Sequence, residues 1–492
     1  MKNRKTICGV EAMLLLAGIG IGATMAQAET LNVGPGETYV TIQAAIDDAN
    51  YADTINVAAG YDSSSETFPI IIDKSLRLVG EQEDIDPRPD QGGRTGDETV
   101  IDAGESSDHV LLIETTNDVE INGFTITGGT GDMVEREIQP ELAVASAQSE
   151  GIAGDIEHNF LFCYNILYDE LTGGGGKAIQ IKYSDDTVIE YNYAYNIQSD
   201  AFNLSRSANG VIRYNEAHDI HSEDAAIFCY GDENTDIVGN LVYNVINNDG
   251  IKLGASWEPG TGGNVRDNEV HDAAEDGITI YATDVTVENN IIYRCGSENG
   301  AMNLDRADNT NVAGNLIFNN DAIGLMIKSS ANVTVTGNEI SANSDDGTKY
   351  PGSAGIWLES NTTVTAINNN YVHCNTDFGL RNDTGTIVNA EYNWWGHPSG
   401  PAHAGNPTGI GDTVSDNVDY EPWLEHSLGD INHDCCVNMY DYSMLAAAWQ
   451  SSTGDTNYNP ACDIDASCDS AINILDLAVF VAHWSECSTP CN

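Results

Sequence analysis

One asparagine recurs through most of this chain, each time at the end of a short stretch in which apolar and polar residues alternate. Residues 332–343, "NVTVTGNEISAN", show the pattern: valines alternate with threonines, Gly337-Asn338 is a turn signal, and the apolar alternation resumes at Ile340. From Asn165 onward the intervals are 22 to 31 residues. The recurring residues are Asn122, Asn165, Asn192, Asn215, Asn240, Asn268, Asn290, Asn315, Asn338, Asn369 and Asn393. Such a repeat favours a stack of similar units.

A second alternating stretch lies between successive asparagines, as in "DGIKLG" at 249–254 and "DGITIY" at 276–281. A unit of about two dozen residues with short strands and no helical periodicity fits one coil of a solenoid. Coils stacked about 4.8 Å apart form parallel sheets. The asparagines then align at one corner and form a ladder of amide hydrogen bonds. We attribute the choice of asparagine to its tolerance of the left-handed backbone conformation at a turn.

The start of the chain predicts one helix. Residues 41–50, "TIQAAIDDAN", place Ile42, Ala45, Ile46 and Ala49 on one helical face. A short amphipathic helix here would cover the first coil, whose apolar side chains and strand edges are otherwise open to water.

These patterns resemble the right-handed parallel β-helix proteins of the pectate-lyase-like superfamily. The resemblance depends on "GETYVTIQAAIDDANYADTINVAAG", the asparagine turns and the closing "NWWGHPSGP", and it covers residues 29–428. It implies an all-β, right-handed, single-stranded parallel β-helix with an N-terminal capping helix. The superfamily includes lyases, hydrolases, epimerases and non-catalytic proteins, so the resemblance implies a fold more specifically than an activity.

The N-terminus and the charge indicate where such a protein works. Residues 1–28 combine a basic start, a short apolar run and Ala26-Gln27-Ala28, as a secretory signal peptide does. We therefore expect a secreted or cell-surface protein without membrane insertion. The formal net charge of −57 disfavours nucleic acid and favours divalent cations. It would also repel a polyuronate unless calcium or a local basic patch intervened.

Residues 429–492 contain two copies of one sequence motif, offset by 35 residues. Oxygen-bearing side chains occupy positions 1, 3, 5, 9 and 12 of a loop that enters a helix, which is the spacing that Ca²⁺ requires. The predicted ligands are Asp430, Asn432, Asp434, Asn438 and Asp441 in the first copy, and Asp465, Ser467, Asp469, Asn473 and Asp476 in the second.

This module resembles a type I dockerin, a duplicated α-helical calcium-loop module, which implies a cohesin-like protein as partner. Two departures from that family stand in the sequence. The turn position that usually holds glycine is Cys435 in one copy and Ser470 in the other. The helix positions that often carry Ser/Thr recognition pairs are Met439-Tyr440 and Ile474-Leu475. Both the calcium affinity and the identity of the partner depend on these substitutions.

Cysteines are concentrated in the same module. Six of the eleven fall in the last 64 residues, and in an exported module of this size they predict disulfides of unknown connectivity. Four others, Cys163, Cys229, Cys295 and Cys374, are expected inside the solenoid as core or ladder residues.

Candidate chemistry lies on the second strand of each coil, where the residue between two apolar ones faces outward. That column consists of Gln180, Asn203, Ile227, Lys252, Thr279, Asn303, Met326, Trp357 and Arg381. An acidic column precedes it: Asp200, Asp224, Asp249 and Asp276. Adjacent coils would bring these carboxylates within roughly 5 Å of one another. At that distance one pKa rises or a cation binds.

Two chemistries follow from this placement. In the first, two of Asp224, Asp249 and Asp276 act as general acid and base on a glycosidic bond. In the second, the carboxylates hold Ca²⁺ and Lys252 removes the C5 proton of a uronate, so that the protein is a β-elimination lyase. Substrate-binding side chains are expected at Asp200, Asn203, Trp257, Asn303 and Trp357.

Cleavage of a polysaccharide by one of these routes is the expected function. The alternatives are a non-catalytic surface, adhesion or glycan-binding protein and a uronate C5-epimerase. Residues 129–154 interrupt the coil rhythm, and we interpret them as an excursion beside the groove.

Overall fold

The computed structural model describes residues 28–107, 109–114, 116–136, 157–168, 176–296, 299–321, 323–343, 352–465 and 468–487. The predicted signal peptide up to residue 27, most of the predicted excursion and Ser467 lie outside these residues. The chain divides into two compact units between His221 and Ser222. No described helix is long and apolar enough to cross a membrane.

Each unit is a parallel β-solenoid in which every coil contributes short strands to three faces. We call these face 1, which leads into the corner asparagine, face 2, which follows it, and face 3, which closes the coil. Strands of one face pair in parallel with those of the neighbouring coils. Val287 on face 1, for example, lies between Val265 and Val312, and all three side chains are fully buried. The core is a set of such apolar columns.

The N-terminal unit has these strands. Face 1 consists of Thr30–Val33, Asp53–Val57, Leu76–Gly80, Val119–Asn122, Phe160–Cys163, Val188–Glu190 and Val211–Arg213. Face 2 consists of Thr99–Ser107, Phe124–Gly129, Ile166–Tyr168, Tyr193–Tyr195 and Glu216–Ile220. Face 3 consists of Ile70–Ile72, Leu111–Ile113, Val134–Arg136, Ile179–Lys182 and Phe202–Ser205. A separate pair joins Glu157–His158 to Ser184–Asp185.

The C-terminal unit repeats this plan. Face 1 consists of Glu233–Val238, Gly260–Arg266 with Ala282–Thr283 beside it, Thr286–Glu288, Asn311–Ala313, Val333–Thr336 and Val364–Asn368. Face 2 consists of Leu241–Val245, Glu269–Ala273, Ile291–Tyr293, Leu316–Phe318, Glu339–Ser341 and Tyr371–His373. Face 3 consists of Ala225–Tyr230, Asp249–Leu253, Ile278–Ile280, Met302–Asp305, Leu325–Lys328, Ala354–Leu358 and Phe378–Asn382. Two further pairs join Val388–Asn389 to Val418–Asp419 and Pro401–Ala402 to Gly411–Thr413.

The corner asparagines form the predicted ladder, and all its members are buried. Asn315 is typical: its Nδ2 donates to Asn338 Oδ1 at 2.9 Å, and its Oδ1 accepts from Asn290 Nδ2 at 2.9 Å. In the N-terminal unit the ladder consists of Asn165, Asn192 and Asn215. In the C-terminal unit it consists of Asn240, Asn268, Asn290, Asn315, Asn338, Asn370 and Asn393.

Three details of the predicted ladder are wrong. The member after Asn338 is Asn370, not Asn369. Asn122 accepts from the Asp84 backbone N–H instead of joining the ladder. The left-handed backbone conformation belongs to the residue before each ladder asparagine, such as Tyr191 or Gly337. Asparagine is needed at this corner because its amide both donates and accepts, not because of its backbone.

A second ladder runs along the end of face 2 in the C-terminal unit. Asn320 donates to Asn343, and Asn343 donates to Asn375. The last member is Asp412, which accepts from both the backbone N–H and the side-chain amide of Asn375.

The first helix, α1, spans Ile42–Asp48, and Ile42, Ala45 and Ile46 are buried. It contacts the strands Thr30–Val33, Asp53–Val57 and Ile70–Ile72. The predicted helix is therefore present, and its function as a cap stays a prediction. Short 3₁₀ helices lie at Ser63–Ser65, Pro89–Gln91 and Pro460–Cys462.

The predicted C-terminal module contains α2, Met439–Ala447, and α3, Ile474–Ala482, each with a capping box at its N-terminus. Its apolar core includes Leu445 and Phe480. One disulfide, Cys436–Cys487, lies inside the module. Another, Cys374–Cys468, connects the module to the solenoid. The prediction that Cys374 is a core or ladder residue is thus wrong, because it precedes the ladder residue and faces outward.

The other predicted core cysteines of the solenoid are confirmed. Cys163, Cys229 and Cys295 are buried and free of disulfides.

Candidate functional site

Two carboxyl groups lie side by side on face 3 of the C-terminal unit. Asp249 Oδ1 accepts the Asp276 backbone N–H at 3.1 Å. Asp276 accepts the backbone N–H groups of Asn299 and Gly300 on Oδ1, at 3.1 and 3.3 Å. Its Oδ2 accepts Asn303 Nδ2 at 3.1 Å. The exposed fraction is 5% for Asp249 and 1% for Asp276.

The two carboxyl groups differ in their hydrogen-bonding surroundings, and these surroundings shift their pKa values. Burial and, after it, the neighbouring Asp276 carboxylate raise the pKa of Asp249 to about 8, while Lys252 opposes the shift. Burial also raises the pKa of Asp276, but the hydrogen-bond donors around it oppose that shift. Because Asp276 accepts more hydrogen bonds that stabilise a charge, Asp249 is the better placed of the two to hold a proton.

Lys252 completes the group. Its Nζ lies 3.5 Å from Asp249 Oδ2 and 4.0 Å from Asp224 Oδ1. The ammonium also lies 5.6 Å from the Phe228 ring and 6.0 Å from the Tyr281 ring. The site is thus an acid pair beside one cation, with aromatic walls.

The predicted columns hold with one correction. Pairing along face 3 aligns Lys252, Thr279, Asn303, Met326, Trp357 and Arg381, as predicted. In the preceding coil, Lys252 pairs with Phe228 and Asp249 pairs with Ala225. Ile227 is therefore a core residue, and Asp224 lies one residue before the acidic column, at a half-exposed position. The run "AAIFCY" is apolar throughout, so its alternation did not reveal which residue faces outward.

The rim of the site carries aromatic and basic side chains. Trp257 is 63% exposed, and it packs edge-on against Phe228 with the ring centroids 6.3 Å apart. Asn303 is buried, and its Oδ1 has no hydrogen-bond partner among the described residues. Trp357, farther along the column, stacks under the Arg381 guanidinium at 3.8 Å and donates from Nε1 to Asp383.

Face 3 also holds most of the basic side chains of its unit. Among the described residues of the C-terminal unit, four of six Lys and Arg side chains lie on or beside face 3. They are Lys252, Arg306, Lys328 and Arg381. Each lies within 4.0 Å of an aspartate. Face 3 therefore carries paired positive and negative charges in a protein that is strongly acidic.

Asp200 and Asn203 lie on the corresponding face of the N-terminal unit. Asn203 Nδ2 donates to Asp200 Oδ2 at 3.2 Å, and Lys177 Nζ lies 3.8 Å from the same oxygen. This group repeats the acid, amide and lysine of the other unit.

The first loop of the C-terminal module has the geometry of a cation site. Asp430 Oδ2 accepts the Cys435 backbone N–H at 2.9 Å, and Asp441 Oδ1 accepts that of Asn432 at 3.0 Å. Carboxylate oxygens of Asp430, Asp434 and Asp441 lie within 4.8 Å of one another. Asp430 Oδ1 is buried without a hydrogen-bond partner among the described residues. A hard cation fits this donor set, because it would satisfy that oxygen and offset the repulsion.

In the second loop the residue that corresponds to Asp430 is Asp463, which sequence reasoning missed. Asp463 Oδ2 accepts the Ser470 backbone N–H at 2.8 Å, as Asp430 does from Cys435. Asp476 accepts from Asp465 as Asp441 does from Asn432. Burial and Asp476 raise the pKa of Asp463 to about 7.

The fixed offset of 35 residues concealed Asp463. Five residues separate the paired groups in the first loop and seven in the second. The carboxylates that come together there are Asp463, Asp465 and Asp476, within 4.8 Å.

Comparison with known proteins yields matches to the fold. A family model described as a right handed beta helix region matches residues 225–393. No curated protein matches the chain.

Several solved structures match the chain at low identity. The A-module of a mannuronan C-5 epimerase from Azotobacter vinelandii is 17% identical, with a TM-score of 0.42 over 71% of this chain and 91% of that one. A DFA-IIIase from Arthrobacter chlorophenolicus is 15% identical, with a TM-score of 0.41 over 75% and 88%. A Geobacillus virus E2 protein, ORF18, is 10% identical, with a TM-score of 0.39 over 69% and 62%. Likenesses at this level carry no information on substrate or chemistry.

Proposed function

We propose that the protein is an exported solenoid that hydrolyses a glycosidic bond of a polysaccharide at face 3 of the C-terminal unit, with Asp249 as the general acid. The observation that supports this proposal is the buried Asp249–Asp276 pair beside Lys252. Glycoside hydrolysis requires one carboxylic acid that is still protonated at the working pH and one carboxylate that is ionised. The pair supplies both.

Each group then has a defined task. Asp249 gives its proton to the leaving glycosidic oxygen, and the Lys252 ammonium at 3.5 Å stabilises the carboxylate that results. That carboxylate takes the proton back from the attacking water. Asp276, whose hydrogen-bond donors favour its ionised form, stabilises the positive charge that develops on the sugar ring. Trp257 at the rim offers an exposed ring on which a sugar can stack.

The same contacts weigh against the calcium-dependent lyase. A Ca²⁺ ion at Asp249 would lie next to the Lys252 ammonium, which repels it. The oxygens of Asp276 are already occupied by N–H donors.

The C-terminal module has a separate task in this proposal. Its loops bind Ca²⁺, and its helices attach the protein to a cohesin-like partner outside the cell. The duplicated helix starts support a contact surface, since Met439, Tyr440, Ile474 and Leu475 are 63%, 72%, 65% and 50% exposed.

A glycan panel tests the catalytic part. Purified protein is incubated with neutral glycans and polyuronates, with Ca²⁺ or with chelator, and the reducing ends and the ultraviolet absorbance of unsaturated products are recorded. We expect reducing ends without unsaturated products, in chelator as well as in Ca²⁺. Asp249→Asn should abolish them. The matched control is Asp236→Asn on face 1, where the carboxylate accepts from Asn264 and faces away from the site.

Other outcomes refute the proposal in distinct ways. Unsaturated products that need Ca²⁺ identify the lyase. A change of uronate configuration without cleavage identifies the epimerase. Binding without any product identifies the non-catalytic glycan-binding protein.

A further inference from the structure

The second calcium loop of the module is also its point of attachment to the solenoid. Cys468, inside this loop, forms the disulfide with Cys374, which follows a face 2 strand. Ser470 Oγ donates to Asn319 Oδ1 at 2.6 Å, and Asn319 follows another face 2 strand. Asn319 Nδ2 in turn donates to Thr453 of the module.

Ser470 connects the loop's carboxylates to the solenoid within a single residue. Its backbone N–H donates to Asp463 Oδ2 at 2.8 Å, while its hydroxyl donates to Asn319. Ser470 also has a positive φ, which fixes the direction of its backbone N–H toward Asp463. The two hydrogen bonds of Ser470 form a direct connection between Asp463 and Asn319.

The second loop fits a divalent cation by its own contacts. Asp463 is 94% buried, since its exposed fraction is 6%, and its Oδ1 has no hydrogen-bond partner among the described residues. Oxygens of Asp465 and Asp476 lie within 4.8 Å of it. A cavity of about 380 Å³ adjoins these groups, and the residues described along its wall include no Lys or Arg. The near oxygens of these three carboxylates favour binding of Ca²⁺.

The cavity places both loops against the last coils. Asp430 of the first loop and Asp463 of the second line its wall together with Tyr371 and Trp394 of the solenoid. The first loop adds His433, whose ring stacks on Tyr371 with the centroids 3.7 Å apart. The module thus presents its first-position carboxylates to the solenoid and its exposed helix starts to solvent.

We propose that cation binding at the second loop, with Asp463 as a ligand, and the noncovalent docking of that loop on face 2 around the Cys374–Cys468 disulfide are one coupled equilibrium, transmitted through Ser470. This inference rests on the proposed calcium-binding function of the module and is independent of the chemistry at Asp249. Coupling between two sites is reciprocal, so docking must strengthen cation binding as much as the cation strengthens docking.

The test uses the full chain and Ca²⁺ alone. Calorimetric titration of the native protein should show two sites, and Asp463→Asn should lose one of them. Ser470→Ala, which keeps the backbone N–H, should weaken that same site about fivefold or more and leave the other unchanged. The matched control is Ser443→Ala on α2, whose hydroxyl contacts only the α2 backbone carbonyl of Tyr440 in the structure.

A second readout follows docking directly. Ca²⁺ should slow hydrogen exchange in residues 316–321 of the native solenoid and have no such effect in Ser470→Ala. Asn319→Gly, which keeps the left-handed backbone and removes only the amide, should behave like Ser470→Ala. Native Ca²⁺ affinity in both variants, or exchange at 316–321 that ignores Ca²⁺ in the native protein, would refute the coupling. Unchanged stoichiometry in Asp463→Asn would refute the site itself, and neither result depends on glycan cleavage.

Discussion

Replacement of one ladder asparagine by alanine, Asn315→Ala, should destabilise the C-terminal unit more than the loss of one small side chain suggests. Asn315 Oδ1 accepts the Asn290 backbone N–H at 2.9 Å, and Asn315 Nδ2 donates to the Val287 carbonyl at 2.9 Å. Alanine leaves the buried Asn290 N–H without this acceptor, which costs about 1–3 kcal/mol. It also removes the hydrogen bonds of the amide to Val287 and Asn338, each worth about 0.5–1.5 kcal/mol. We therefore expect a loss of about 2–6 kcal/mol in the free energy of unfolding.

The matched control is Asn311→Ala in the same coil. Asn311 lies on the half-exposed side of face 1, where its Oδ1 accepts only Thr334 Oγ1 at 2.8 Å among the contacts of its side chain. Loss of that bond should cost about 0.5–1.5 kcal/mol. Urea unfolding of the two variants gives the difference, and hydrogen exchange at Leu316–Phe318 shows whether the weakening is local. If the two variants lose the same stability, the ladder does not hold the corner together and our reasoning is wrong.

Three further predictions concern the site. Asp249 has a pKa of about 8 in the folded protein, against about 3.9 when unfolded, so it contributes stability at low pH that is lost as the pH rises through this interval. Asp249→Asn should flatten that decline, as urea midpoints at several pH values will show. Lys252→Met removes the ammonium that lowers the Asp249 pKa, so the rate of hydrolysis should fall off at a higher pH than in the native protein. An unchanged pH dependence on the basic side would mean that Asp249 is not the acid. Trp257→Ala should weaken glycan binding by about 0.5–1.5 kcal/mol in affinity electrophoresis while the melting temperature stays unchanged, because the side chain is 63% exposed.

Much of the solenoid could be predicted from the sequence because one residue type has one physical task per coil. The need for an amide that both donates and accepts places an asparagine at a regular interval in the sequence. The left-handed position before it is filled by Tyr, Asp, Asn or Gly and gives no such repeat. The confusion of Asn369 with Asn370 has the same origin. In a run of three asparagines the ladder member is determined by the register with Asn338, which only the structure supplies.

The candidate site could be predicted in part. The pairing of Asp249 with Asp276 follows from the coil period, but the displacement of Asp224 does not, because the neighbouring strand is apolar on both sides. The position of Asp463 in the second loop was not predicted for a different reason. A loop that lengthens by two residues keeps its helix and its turn residue but moves its first carboxylate, and a comparison at fixed offset cannot register that change.

The two asparagine ladders are also directional, since each amide donates toward the C-terminus. A member in the middle must therefore be an amide, but the last one needs only to accept, and Asp412 does so for the second ladder. An aspartate at that position ends the ladder, because a carboxylate has no N–H to donate to a further member. Additional coils could be inserted before Asp412 but could not extend the ladder beyond it. The second ladder thus ends at one atom, a carboxylate oxygen of Asp412 in the place where Asn320, Asn343 and Asn375 each have a nitrogen.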